Sequence, residues 1–169
     1  MTKKKKKWSM YPKLHEDIGS LLREPLADHS TGKEEDSEDG GANIEPDLDY
    51  SFNGQDDERC LKERDTHVMG RFFCHNTGCS NKTWFSKKVA ITIRAYADEK
   101  YNARVYHQRC KNYWFLSRPF LDEKACAERV VYWIKKCEGI EVETPEHSGK
   151  KGLPHVSVLC EGCKAGHCN

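Results

Sequence analysis

The chain has 169 residues, of which 37% are hydrophobic and 33% charged, with nine cysteines and a formal net charge of +1. That length fits one ordinary domain. A mean hydropathy of −0.87, with no apolar run near the roughly 18 residues of a membrane helix, argues against a membrane span.

The small net charge hides an asymmetry. Residues 1–13 carry six Lys and no acid; Glu34 to Glu58 hold eleven acids and no Lys or Arg; residues 59–169 carry 20 basic and 12 acidic residues, a net of +8. The opening MTKKKKKWSM has no apolar stretch behind it, so no secretory signal is read there. The cysteines are therefore expected in a reducing compartment, cytoplasmic or nuclear, where clustering means metal more often than disulfides. The lysine run also has the composition of a nuclear-import signal or a polyanion contact.

In chain order, residues 1–28 read as a basic tail with a short amphipathic helix. Leu14, Ile18, Leu21 and Leu22 have helical spacing, and Pro25 ends it. Residues 29–58 are rich in Gly, Ser, Asp and Glu and read as an acidic, disordered linker. The body, 59–169, opens on a short strand at 70–74 leading into Cys74. Residues 87–96 alternate, with Val89, Ile91, Ile93 and Ala95 on one face and Thr92, Arg94 and Tyr96 on the other. Polar residues 97–102 form a turn, and 103–108 return as a second strand, giving an antiparallel hairpin. The best helix runs over residues 122–137, with Asp122 as a plausible N-cap and Gly139 just beyond its end. Cys126, Val130, Trp133 and Cys137 lie on its apolar stripe, so the two cysteines are expected in the core. Residues 141–154 read as a loop. The fold class is α+β: a small domain with an antiparallel sheet and one main helix, preceded by a disordered acidic segment.

Six of the remaining seven cysteines, all but Cys60, have metal-ligand spacing. Cys160-x2-Cys163 can turn two thiolates toward one tetrahedral ion. His155 and Cys168 flank it at x4, which gives four ligands of suitable softness for Zn2+. Cys74-x4-Cys79 is a looser pair, with Gly78 supplying a permissive backbone. Cys110 follows a strand beside Arg109 and Lys111, as a first knuckle sulfur would, yet Tyr113 stands where its partner is expected. Tyr113 is a poor ligand and reads as a packing aromatic beside Trp114 and Phe115. Cys74, Cys79 and Cys110 then need a fourth ligand, with His75 and His107 near in sequence. Alternatively, Cys160 and Cys163 cross over to Cys74 and Cys79 and leave Cys110 a bystander.

Three stretches, "MGRFFCHNTGCSNKTWFSKKVAITI", "YNARVYHQRCK" and "PHVSVLCEGCKAGHC", together resemble the 3CxxC-type zinc-finger family. Its animal members include receptor-transporting and zygote-arrest proteins, and many fungal members are uncharacterised. "WSMYPKLHEDIGSLL" resembles the start of the fungal members. The resemblance implies three Cys pairs, Cys74/Cys79, Cys110 with position 113, and Cys160/Cys163, closed by His155 and Cys168. Tyr113 departs from that pattern. The resemblance also implies a zinc-supported interaction module; no enzyme is expected, because no Glu or Asp lies near Cys110 in sequence to serve as a general base. The expected partner is RNA or another nucleic acid, met by Lys87, Lys88, Arg94, Arg104 and Arg109 with Trp84, Tyr96, Tyr101, Tyr106 and Trp114 interleaved as stacking surfaces. A protein-binding, chaperone-like adaptor is the alternative. No small-molecule substrate is expected, and the oligomeric state is not read from the sequence.

Overall fold

The computed structural model describes residues 3–24, 48–55, 58–145 and 154–169. In chain order, β1 (Trp8–Met10) leads through a 3-10 turn at Pro12–Leu14 into α1 (His15–Arg23). Then come β2 (Ser51–Phe52), β3 (Lys62–Phe73), β4 (Thr83–Tyr96), β5 (Lys100–Tyr106), β6 (Gln108–Arg109), β7 (Leu116–Ser117) and β8 (Phe120–Leu121), followed by α2 (Glu123–Cys137) and α3 (Glu161–Ala165). The main sheet has the order β1-β5-β4-β3-β8, with β2 added to β5. All its pairings are antiparallel except β2 with β5. β6 and β7 make a separate two-stranded ladder.

The expected hairpin is β4–β5. Its three-residue connection, between the paired Tyr96 and Lys100, places Asp98 and Glu99 at φ 58° and 52°, in the left-handed region that tight hairpin turns use. The β4 side chains alternate between two buried layers. Val89, Ile91 and Ile93 pack in the main core with Ile18 and Leu22 of α1 and Cys126, Val130, Val131 and Ile134 of α2. Ala90, on the opposite face, joins Tyr106, Cys160 and Cys168 in a second cluster. The sheet is thus covered by helices on one side and by the C-terminal cysteine segment on the other. Burying each aliphatic of this size contributes about 1.5–3 kcal/mol.

α2 starts where Asp122 accepts a hydrogen bond from the Ala125 N–H at 3.1 Å, which satisfies one orphan donor of the first turn. It ends before Gly139 at φ +80°. Cys126 and Cys137 are both buried, at 1% and 5% exposure.

Three expectations change. β3 begins at Lys62, not near residue 70, because its first half is polar. Glu63 pairs with Arg94, and Asp65 accepts a hydrogen bond from Thr92 at 2.6 Å, so the strand is held by partners that hydrophobic periodicity does not report. The basic start is not all tail: Trp8–Met10 adds an edge strand to β5. Of the acidic stretch 29–58, residues 29–47 and 56–57 lie outside the described residues. Its remaining part is ordered. Leu48 and Tyr50 are buried against the main core, Ser51–Phe52 pairs with β5, and the Tyr50 hydroxyl bonds to Glu138. Two apolar side chains with a place in the core outweigh the local acidity there.

Candidate metal centres

The loop between β3 and β4 brings Cys74 and Cys79 beside Cys110, which directly follows β6. All three are buried, and their sulfurs lie within 4.8 Å of one another. The Cys79 and Cys110 sulfurs are 3.7 Å apart. Tetrahedral zinc with bonds near 2.3 Å separates its sulfurs by about 3.8 Å, whereas a disulfide needs about 2.05 Å. The segment after Cys110 is folded as a knuckle. Burial alone would push the Cys110 thiol up. The Tyr113 and Asn112 N–H groups point at the sulfur and, with hydrogen bonds from Cys74 and Cys79, bring it below the usual thiol range.

The second cluster is His155, Cys160, Cys163 and Cys168, again with ligand atoms mutually within 4.8 Å. His155 Nε2 lies 3.2 Å from the Cys163 sulfur and 3.6 Å from that of Cys168, while Cys160 and Cys168 are 4.0 Å apart. Cys160 precedes α3, and the Cys163 and Gly162 N–H groups support its sulfur. The Cys160 thiol is pushed down to about 5, first by its hydrogen-bond contact with Cys168 and then by those amides and His155. Cys168, the other partner of that contact, is correspondingly pushed up. Three sulfurs and an imidazole nitrogen gathered around one point are an arrangement that a cation stabilises. Gly166 at φ +80° ends α3 and lets the chain return for Cys168.

Both donor sets are thiolate-rich and of tetrahedral size, and they fit Zn2+. A family model described as a zinc-binding domain, the 3CxxC zinc ribbon, matches residues 67–166. The chain belongs to this 3CxxC zinc-ribbon family. No curated protein and no solved structure matches it. The family match covers both cysteine knuckles but stops before Cys168; β1, α1 and β2 lie outside it.

In this 3CxxC domain Cys160 and Cys163 gather with His155 and Cys168, not with Cys74 and Cys79, so the geometry does not form the crossover arrangement. His107 is elsewhere: its Nε2 is 2.5 Å from the Ser9 hydroxyl. His75 is exposed and joins neither group. His167 is held by Asp65 at 3.0 Å and stacks on Tyr106.

The aromatic positions divide differently from expectation. Tyr96, Tyr101 and Tyr106 are buried, and Trp84 is half-buried and stacked on Phe72 at 5.1 Å. They fill the fold and offer no free stacking face. Conversely, Tyr113, expected as a packing aromatic, is 47% exposed, and its neighbours Trp114, expected as a stacking surface, and Phe115 are 52% and 38% exposed. Trp114 sits at φ +56°, unusual for a bulky side chain, where its N–H bonds the Cys110 carbonyl at 2.8 Å. Among the basic positions, Lys87 is exposed and Lys88 half-buried. Arg94 pairs with Glu63 at 2.6 Å, Arg104 lies 3.9 Å over the Trp8 ring, and Arg109 pairs with Glu161 at 2.5 Å.

Glu161 carries no advance signal in the sequence. It sits between Cys160 and Gly162 with its carboxylate 1% exposed, near Arg109, Lys164 at 3.2 Å and Lys7 at 3.5 Å. Burial raises its carboxyl, but hydrogen bonds from Arg109 and Lys164 hold it below the usual range. It ties the C-terminal knuckle to β6 and to the lysine run.

Proposed function

We propose that the chain is a non-catalytic, zinc-stapled module that binds single-stranded RNA. In this reading one zinc is held by His155, Cys160, Cys163 and Cys168, and a second by Cys74, Cys79 and Cys110. The zinc supplies folding free energy that a body of this size needs. No Asp, Glu or His atom of the described residues joins the three sulfurs of the first cluster, so no base adjoins that metal position.

One observation carries the RNA reading: a lysine-lined cavity runs up to an exposed aromatic tip. The cavity, about 490 Å³, is bordered by Lys4, Lys5, Lys6, Lys7, Arg104 and Lys164. Lys5 lies over the Phe115 ring at 5.4 Å and Lys164 over Trp114 at 5.8 Å. Lysines provide phosphate contacts and exposed rings provide base stacking, the two elements by which single strands are held. The binding surface is therefore the 4–7 run with the 111–115 tip, while Lys87 and Lys88 lie outside that cavity.

The test is fluorescence anisotropy with a single-stranded RNA oligonucleotide across a salt series. Log affinity should fall linearly with log salt. Trp114→Ala should weaken binding about tenfold, since base stacking contributes about 1–3 kcal/mol. Salt-insensitive binding, or affinity unmoved by Trp114→Ala and by replacing Lys4–Lys7, removes this reading. A second reading, docking of a protein, is favoured by Phe85 and Phe120, which flank Arg71 across three strands and are 74% and 58% exposed. Loss of partner capture on Phe85→Ser, with RNA affinity unchanged, would select it.

A further inference from the structure

The turn after Cys110 is built as a zinc knuckle without its second sulfur. Two backbone N–H groups, from Asn112 and Tyr113, point at the Cys110 sulfur, just as those of Gly162 and Cys163 point at Cys160. In the second turn, the residue three positions on is Cys163, one of the four members of its cluster. In the first, that residue is Tyr113. Its hydroxyl does not serve the sulfurs; it donates to the Gly78 carbonyl at 3.2 Å. Among the described residues no fourth Cys, His, Asp or Glu completes the group. Asn112 turns its amide N–H toward this group, with Nδ2 4.0 Å from the Cys79 sulfur.

We propose that the Cys74/Cys79/Cys110 centre holds its metal by three thiolates and leaves the fourth position to an exchangeable external ligand of the small-thiol class. The inference rests on the ligand assignment proposed above. Zinc with three protein ligands keeps water in its fourth position. A thiolate is a softer partner than water for a metal already bound by sulfur. The incoming thiol gives its proton to solvent, its sulfur binds the metal, and the water leaves; nothing is oxidised or reduced. Two exposed basic residues belong to the same loops: Lys111 follows Cys110 in the chain, and the Lys82 carbonyl accepts from the Cys74 N–H at 2.7 Å. Size is limited by the site itself. The three cysteines are only 2–5% exposed, while the loops above them are at the surface, with His75, Thr77 and Gly78 on one side and residues 111–115 on the other. A compact thiol is therefore favoured over a folded partner's side chain.

The experiment uses the full chain loaded with cobalt(II) in place of zinc, titrated with 2-mercaptoethanol under a non-thiol reductant. Wild type should show a saturable rise in sulfur-to-cobalt charge transfer and in the tetrahedral visible bands. Tyr113→Cys should begin with the stronger spectrum and not respond. The closed four-ligand cluster contributes a constant background to both. Should Tyr113→Cys not fold, cadmium NMR of the wild type gives the same reading, with one of two resonances moving toward the four-sulfur position as thiol is added. Metal content of the same samples separates the possible failures. Two metals per chain with no response to thiol means the chain itself fills the fourth position, which overturns this inference and leaves the ligand assignment standing. One metal per chain overturns both.

Discussion

Gly162 lies between two proposed metal ligands, yet its strictest constraint comes from the sheet beneath it. A Cβ built at this position would lie 2.6 Å from the Ala90 Cβ and 3.3 Å from the Tyr106 Cβ. Carbon atoms in good contact are about 3.5–4.0 Å apart, so α3 and β4 must part by about 1 Å to admit Gly162→Ala. The atom it meets is a Cβ fixed to a strand backbone, so no side-chain rotation relieves the contact. Overpacking of this kind costs about 1–3 kcal/mol. For a domain of this size that lowers the Tm by about 4 °C per kcal/mol, hence about 4–12 °C. The assay is thermal unfolding of the zinc-loaded protein, with zinc release followed by a chromogenic chelator. Release should begin at lower temperature in the variant, because the knuckle is pushed off its support. Ala90→Gly in the same chain should recover part of the loss. Recovery stays incomplete because the Tyr106 contact remains and because glycine within a strand itself costs about 0.5–1 kcal/mol. Gly162→Ala with an unchanged transition would refute the docking of α3 on β4.

Other predictions follow from the clusters and the buried histidine. The zinc-loaded wild type should contain about two zinc per chain. Cys160→Ser should lose one equivalent and much of the folding cooperativity, whereas Cys126→Ala, at a core position outside both clusters, should keep both ions; a zinc lost from Cys126→Ala would make that cysteine a ligand. His107 is 8% exposed, and its imidazole is held down to about 4, first by burial and then by the Arg118 charge. Its folded-state value lies below the ordinary 6.5, so between those values the unfolded chain binds the proton and the folded chain does not. Its contribution is therefore complete above about pH 6.5 and lost as pH falls toward 4, up to about 3 kcal/mol. Acid also protonates the thiolates, so the measurement is the difference between wild type and His107→Gln in urea unfolding at each pH. The two curves should diverge over that window; parallel curves would show that the histidine is not buried neutral.

The sequence determined what depends on local spacing. The H-x4-C-x2-C-x4-C string needs only its own turns, so its four members were legible as one group, as was the capped helix from Asp122 with its periodic apolar stripe. The β4–β5 hairpin was equally legible, because alternation and a polar turn sit side by side in the chain. Tertiary structure decided what depends on distant partners. Polar β3 is a strand because Arg94, Thr92 and His167 answer its outward acids. Leu48 and Tyr50 are ordered within an acidic stretch because the main core has room for them. Glu161 is buried because Arg109, Lys164 and Lys7 converge on it from other parts of the chain. The same holds for the aromatics. Composition cannot distinguish a ring that fills a core, such as Tyr101, from one held at the surface, such as Trp114. Burial is a property of what the rest of the fold places around a side chain, and only the assembled sheet, helices and knuckles fix that.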